Sequence, residues 1–592
     1  MGSARVRVGN AGGYWGDDPH AMRRQLRLGR LDYLTQDFLA EVTMSILQKQ
    51  RARDAELGYA VDFLSQLRDS LPFVGSTRIV SNAGGIHPLA CALRVRRLLQ
   101  EASLTSNVAV VTGDDLMDAL DGLLQEGVSL ANMETGEPLS KIRDRVQSAN
   151  AYLGIGPVLE ALRQGASIII TGRVTDTAMV AAAPAFEFGW DPEDWDKLAS
   201  AVIAGHILEC GAQATGGNIT DWRSVPSYQN FGYPIAEFAA DGSFVVTKPD
   251  ATGGMVSQET VISQLIYEMG DPRRYITPDV VADFSTVRLA EEGPNRVRVS
   301  GVRGHARPDH LKVSVSFNDG FKAHGVLIVS RPDAVEKSRK IADIFWARLG
   351  IDFEETSTEL IGYNACHRNL APPVDPPEIL LRLGARDRDR DKLEQFANLF
   401  ASLILSTVSG VAIAGGRPRI QEVVAYWPCL VPASSVTPDV HLLETGKSCP
   451  APHRPAAKAS ASIEAPSEET PPAAAFASNV VETELRTICY GRSGDKGDTC
   501  NIGIAARSEL AYQWIRRHLT AERVRELFAG ISNGKVERFE LHNLMALNFL
   551  LHNSLGGGGT VSLRIDPQGK TLADALLSAR FAIPHDVLES VG

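Results

Sequence analysis

The chain has 592 residues, 44% hydrophobic and 22% charged, with a formal net charge of −11. That acidity argues against a broad nucleic-acid surface, which needs clustered Lys and Arg, but leaves room for a small basic pocket holding an anionic substrate. Seven scattered cysteines without a CxxC pair point to a reducing compartment. The N-terminus shows no charged-then-apolar leader and no apolar run approaches the ~18 residues of a membrane span, so a cytoplasmic protein is expected.

Taken in chain order, short β-branched runs alternate with amphipathic helical patterns. Strands are predicted at 77–81, 107–112 and 167–171, with helices around 35–50, 88–101 and 155–164. Continuous apolar strands between helices indicate an α/β fold built on a largely parallel sheet. From about residue 285 the pattern changes to period two, at 296–300 and 312–317, which predicts antiparallel additions with one wetter face. Residues 330–425 return to helix and strand, so the region 1–445 reads as one large α/β unit, with a possible division into two lobes near 285–330. Residues 446–480 are rich in Ala, Pro and Ser and predict a flexible linker. Beyond it, 481–592 reads as a small α+β unit of ferredoxin-like type: strand 485–490, a Gly-rich loop, strand 501–507, helix 509–529, strand 535–541, a polar segment, strand 559–566 and helix 571–579.

Polar residues gather where the predicted strands end. Asn10, Gly12 and Gly13 follow the strand-like run RVRV at 5–8; Asn82, Gly84, Gly85 and His87 follow 77–81. Asp114 and Asp115 come after 107–112, and Gly172, Arg173 and Asp176 after 167–171. In open α/β sheets ligands bind beyond the carboxyl ends of the strands, so parallel strands would bring these loops together. The residue types suit a carboxylate, phosphate or thioester. Glycines admit close backbone approach, Arg173 can clamp an oxyanion, the aspartates and His87 can move protons. Plain turn chemistry and helix capping by Asp176 are the competing explanation. The chain has no GxGxxG loop after a strand and no phosphate-loop motif, so nicotinamide, flavin and ATP are not indicated.

Three further clusters carry candidate chemistry. His206 and Cys210 lie four apart, the spacing of one helix face, which allows a Cys–His nucleophilic pair with Cys210 attacking. Two metal ligands without a third do not make a metal site. Gly216 and Gly217 follow in an anion-friendly turn. Lys248 and Gly253 mark a second such turn, where the lysine can act as a fixed cation. In the small unit, Arg492, Asp495, Lys496 and Asp498 crowd one loop, either paired internally or facing a site on the large unit.

The segments NAGGYWGD (10–17), DYLTQDFLAE (32–41), SNAGGIHP (81–88), TGRVTDTA (171–178), GHILECGAQATGG (205–217) and KPDATGG (248–254) occur in an order that resembles the AtuA family of acyclic terpene utilisation proteins. RSGDKGDTCNIG (492–503) resembles the signature of that family's C-terminal appendage. The resemblance implies a role in breaking down branched acyclic acids through coenzyme A thioesters, and a homo-oligomer. It supplies no catalytic residue set. The expected activity is hydration, elimination or carbon–carbon cleavage beside a thioester or carboxylate carbonyl. Arg173 would hold the oxyanion and Asp176, Asp115 or His87 would move the proton. A Cys210-dependent thioester hydrolase or acyl transferase, and a non-catalytic subunit of an acyl-CoA carboxylase system, are the alternatives. No cofactor is indicated. Magnesium on aspartates would need only one or two carboxylates.

Overall fold

The computed structural model describes residues 5–39, 41–453 and 476–591. Its frame is an eleven-stranded sheet whose centre is parallel: Val6–Asn10, Tyr33–Gln36, Arg78–Ser81, Ile168–Thr171 and Val108–Thr112 lie side by side in that order. These strands are buried on both faces, which is why they read as unbroken apolar runs. Ile168 and Ile170 point into one core, against Val95 and Leu99 of the helix Pro88–Glu101. Ile169 points into the other, with Val202 and Ile207 of the helix Trp195–Glu209. Antiparallel strands extend both edges. Ile235–Phe238, Phe244–Thr247, Arg296–Ser300 and Arg288–Gly293 continue beyond Val6–Asn10, and Asp439–Leu442 and Ser448–Pro450 beyond Val108–Thr112.

A second sheet is organised by one 21-residue strand, His310–Ser330. It pairs antiparallel with Gln421–Pro432, Glu378–Asp387, Val146–Ala151 and Val411–Ala414. The helices Ala334–Leu349 and Arg390–Phe400 cover one face through Phe345, Phe396 and Phe400. The period-two texture after residue 285 thus corresponds to antiparallel strands, as predicted.

Near the C-terminus, four antiparallel strands stand in the order Cys489–Lys496, Thr499–Ala506, Ala546–Leu551, Val536–Leu541. One face, with Ile502, Ile504, Leu547 and Phe549, packs under helices that contribute Trp514, Phe528 and Leu576. The alternate residues form a different face, and it is partly polar: Arg492, Asn501 and Asn548 are all buried. They meet the segment that follows the helix Gln258–Leu265. Arg492 donates to Gln264 Oε1 at 2.9 Å, Asn501 to the Ile266 carbonyl at 3.3 Å, and Asn548 to the carbonyls of Met269 and Gly270 at 3.0 and 2.8 Å. Gly503 lets the two backbones touch, since a Cβ there would lie 2.4 Å from the Ile266 carbonyl oxygen. Tyr490, Ala505 and Ala546 join the main hydrophobic core.

Several local expectations are corrected. The stretch 35–50 is not one helix: Tyr33–Gln36 is a strand, and the helix is Glu41–Arg53. The charged loop 491–501 is a hairpin, because Arg492 to Lys496 lie in the first strand and only Gly497 and Asp498 turn the chain. The helix 509–529 is two helices, broken where Thr520 caps the second by accepting from Arg523 N. The polar segment 542–549 runs into the strand Ala546–Leu551, while 559–566 forms no strand: its carbonyls at Thr560 and Ser562 accept from Lys322 instead of from a ladder. Most of the predicted linker, 454–475, lies outside the described residues; Ser448–Pro450 and Val480–Glu484 on either side are strands. Among the described residues no helix is long and apolar enough to cross a membrane.

The docking contact is testable. Asn548→Leu leaves the Met269 and Gly270 carbonyls buried without donors, at roughly 1–3 kcal/mol each. Both Asn548→Leu and Gly503→Ala are expected to speed amide hydrogen exchange across 264–270 while leaving the parallel strands protected.

Candidate functional site

All five parallel strands end on one edge of the sheet, and the loops after them touch. Asp37, one residue beyond Tyr33–Gln36, accepts from Asn82 Nδ2 at 2.6 Å and from Leu39 N at 2.9 Å. Asn82 in turn accepts from Phe38 N at 2.8 Å. Arg173 is 3% exposed; its NH1 donates to Asp176 Oδ1 at 2.7 Å and to the Leu39 carbonyl at 3.0 Å, and its guanidinium lies 4.2 Å over the Tyr152 ring. Asp114 accepts from the Arg173 and Asn150 nitrogens, each at 2.9 Å, and burial pushes its carboxyl up to about 6. Burial, reinforced by Asp176, holds Asp37 well above the usual carboxylate range despite Arg173 and Asn82.

The helix Trp195–Glu209 delivers the second part of the site. Its residues 198–208 are all buried, the pattern of a helix packed on every side. Gly205 lets it approach Thr177, where a Cβ would fall 2.7 Å from the Thr177 Cα. The helix ends against the first loop. Asn10 Nδ2 donates to the carbonyls of Leu208 and Glu209, and a Cβ on Gly13 would sit 2.8 Å from the Glu209 carbonyl oxygen. Glu209 is thereby placed within electrostatic reach of Asp176, and burial together with Glu209, Asp176, Glu268 and Cys210 raises the Tyr275 hydroxyl.

The third part comes from the docked segment and the C-terminal sheet. Glu268 is followed immediately by the residues that Asn548 holds, and Lys570 reaches it at 3.2 Å. Lys570 also bonds the Tyr267 hydroxyl and lies 3.6 Å from Asp495 Oδ1. Asp176, Glu268 and Lys570 keep 34%, 32% and 34% of their side-chain surface, so the polar recess formed by these charged groups keeps contact with solvent.

Electrostatics separate the two glutamates. Burial raises the Glu209 carboxyl, and Asp176 and Glu268 add to it; His206, whose Nδ1 lies 2.9 Å away, opposes without prevailing. Burial acts the same way on Glu268, but Lys570, the Tyr267 hydroxyl and Lys496 outweigh it and leave that carboxyl below its usual value. Lys570 is raised despite its burial, because Glu268 and Asp495 stabilise its charge.

The sequence candidates divide accordingly. Asn10, Gly12, Gly13, Asn82, Gly84, Gly172, Arg173, Asp176 and Cys210 come together at the strand ends. Several glycines there serve protein packing: a Cβ would meet the Thr171 carbonyl oxygen at 2.5 Å from Gly84 and Asp114 Oδ1 at 2.4 Å from Gly172. Gly12 bonds back to this frame through its carbonyl, which accepts from Asp37 N. Gly85 turns at φ +51° against Leu47. His87 faces the Leu57 carbonyl at 3.2 Å, and Asp115 is exposed and caps Met117 N. Lys248 is spent on Thr252, at 2.8 Å, and Gly253 backs onto the Gln229 carbonyl. Arg492 donates to the Gly217 and Asn218 carbonyls at 2.9 and 3.2 Å, closing the turn that Gly216 makes at φ +98°. Asp498 ties Leu555 N and Gly557 N at 2.9 Å, and Lys496 is exposed, acting on Glu268 at longer range. The expected Cys–His pair is not formed, because His206 is held between Glu209 and the Gln264 carbonyl. Burial, with Glu268 and Glu209, drives the Cys210 thiol well above its ordinary value, the reverse of an activated nucleophile. Asp37, Glu209, Glu268, Tyr275 and Lys570 escaped sequence reasoning; only Asp37, inside the 32–41 motif, and Glu209, inside the 205–217 motif, carried a local signal. Among the described residues no three His, Cys, Asp or Glu side chains converge as a metal-binding group.

A protonated, negatively surrounded thiol is a slow nucleophile. Iodoacetamide at neutral pH is expected to leave Cys210 unmodified in the folded protein, and Glu268→Gln to raise its labelling rate.

No curated protein matches the chain. Residues 483–582 match the AtuA ferredoxin-like domain, in keeping with the four-stranded sheet and its helices. Residues 6–442, which hold the parallel sheet and most of the recess, match the acyclic terpene utilisation family protein AtuA, and the chain belongs to that family.

Proposed function

We infer that this protein is an enzyme of acyclic terpene or branched-acid breakdown, moving protons beside the carbonyl of an acyl thioester or carboxylate in a hydration or elimination. The observation that carries this is the pair of carboxylates in one recess, Glu209 raised and Glu268 lowered. Two titrating groups pushed apart in this way supply an acid and a base at the same pH. Glu268 takes the proton next to the carbonyl, with Lys570 balancing the charge. Glu209, whose carboxyl holds its proton to higher pH than that of Glu268, gives a proton to the departing hydroxyl, which leaves as water; in the hydration direction both transfers reverse. Arg173 and Asp176 brace the wall between them. Cys210 has no step in this scheme.

Mass spectrometry of the protein with saturated, unsaturated and hydroxylated branched acyl-CoAs tests it. The expected result is gain or loss of one water by one member of the panel. Glu209→Gln and Glu268→Gln should each lower that rate by about 10²–10⁴-fold, whereas Cys210→Ala should keep it. An untouched panel, or full activity in both glutamine variants, would sink the reading. The pH dependence follows in sign. Activity rises as Glu268 ionises, at a pH below the ordinary glutamate range, and falls as Glu209 loses its proton, above that range. The kcat/KM profile is therefore a bell, and its acid limb moves to higher pH in Lys570→Met.

A further inference from the structure

A cleft of about 420 Å³ runs between the segment Asn218–Tyr228 and the C-terminal sheet. Lys570 and Arg492 are among its lining residues, and the same lysine contacts Glu268, so the cleft and the recess meet at that side chain. The walls are pinned together, because Thr220 Oγ1 donates to the Gly491 carbonyl at 2.9 Å and accepts from Gly491 N at 3.1 Å. At the mouth stand two aromatic side chains that the fold leaves in solvent. Trp222 is 53% exposed and Tyr228 50%, and the tyrosine hydroxyl donates to the Trp222 carbonyl at 2.9 Å. The Arg223 guanidinium lies 4.2 Å over one face of the indole, and Arg486, paired with Glu484 at 2.9 Å, also lines the cleft.

These features describe a ligand with two ends. The volume exceeds what a short acid needs and matches an extended small molecule. An exposed indole fixed by its neighbours is a stacking platform for a planar base, and arginines beside it suit phosphates, which they grip through paired donors. A free carboxylic acid would use neither. We propose that this cleft binds the adenosine bisphosphate end of a coenzyme A thioester, with the base against Trp222, phosphates near Arg223 and Arg486, and the thioester arm passing Thr220 and Ser493 toward Lys570. The assignment rests on the acid–base reading of the recess and names the carrier of its substrate.

The test is calorimetric titration of the full chain with adenosine 3′,5′-bisphosphate, beside Trp222→Ala and Arg223→Ala. Both side chains are exposed, so neither variant threatens folding. Binding to the unaltered protein should weaken about tenfold when the stacking surface is removed, and by a similar factor without Arg223. With an acyl-CoA that is turned over, Trp222→Ala should raise KM and leave kcat in place. Absent binding, or binding equal in all three proteins, overturns the assignment even where the acyl-CoA panel is turned over. Binding that depends on Trp222 beside an untouched panel upholds the cleft and removes the acid–base reading instead.

Discussion

The arrangement depends on how the chain satisfies the carbonyls after the helix Gln258–Leu265. A helix end leaves acceptors without intrahelical donors, and here the following residues, 266–270, are driven against another sheet. Asn501 and Asn548 supply the donors that water would otherwise provide, and Arg492 anchors the helix through Gln264. Three polar side chains on the interior face of a sheet would be a heavy cost if unpaired. Paired, they define where the two parts of the molecule meet. Glu268 sits inside this seam, so its position relative to Glu209 follows from the docking rather than from either part alone.

The same seam sets the charges of the recess. Glu209 and Glu268 are both glutamates in protein surroundings, yet their carboxyls shift in opposite directions. The difference lies in their partners: Glu268 has the Lys570 ammonium and the Tyr267 hydroxyl, whereas Glu209 has one imidazole and two carboxylate neighbours. Lys570 and Tyr267 come from opposite sides of the seam. A change that separated the sides would remove the cation from Glu268 and erase the contrast. Arg173 plays a more rigid part, spent on Asp176 and the Leu39 carbonyl, so it shapes the wall between the strand ends and the helix terminus.

The parallel core was legible because its signal is local and periodic. Arg78–Ser81, Val108–Thr112 and Ile168–Thr171 stand within a residue of their predicted limits, since burial on both faces demands unbroken apolar runs. The strand-end loops were legible too, through their glycines and amides. What misled was composition without register. The run of charges from Arg492 to Asp498 looks like a loop, but Arg492 alternates inward in a strand and finds its partners on another part of the chain. His206 and Cys210 have the spacing of a pair on one helix face. Packing instead turns the imidazole to Glu209 and Gln264.

By itself the sequence determined the α/β class, the parallel strands with their polar carboxyl-end loops, the antiparallel texture after residue 285, and a separate small sheet near the C-terminus. Each of these is written in the spacing of neighbouring residues. Tertiary structure decided which side chains share the recess. Glu209 lies 59 residues from Glu268 and Lys570 lies 302 residues from it, separations read directly from their numbers. No local periodicity links such positions. Their meeting, and the opposed shifts of the two carboxyls, arise only when the C-terminal sheet closes on the segment after Gln258–Leu265 and burial gives each charge its neighbours.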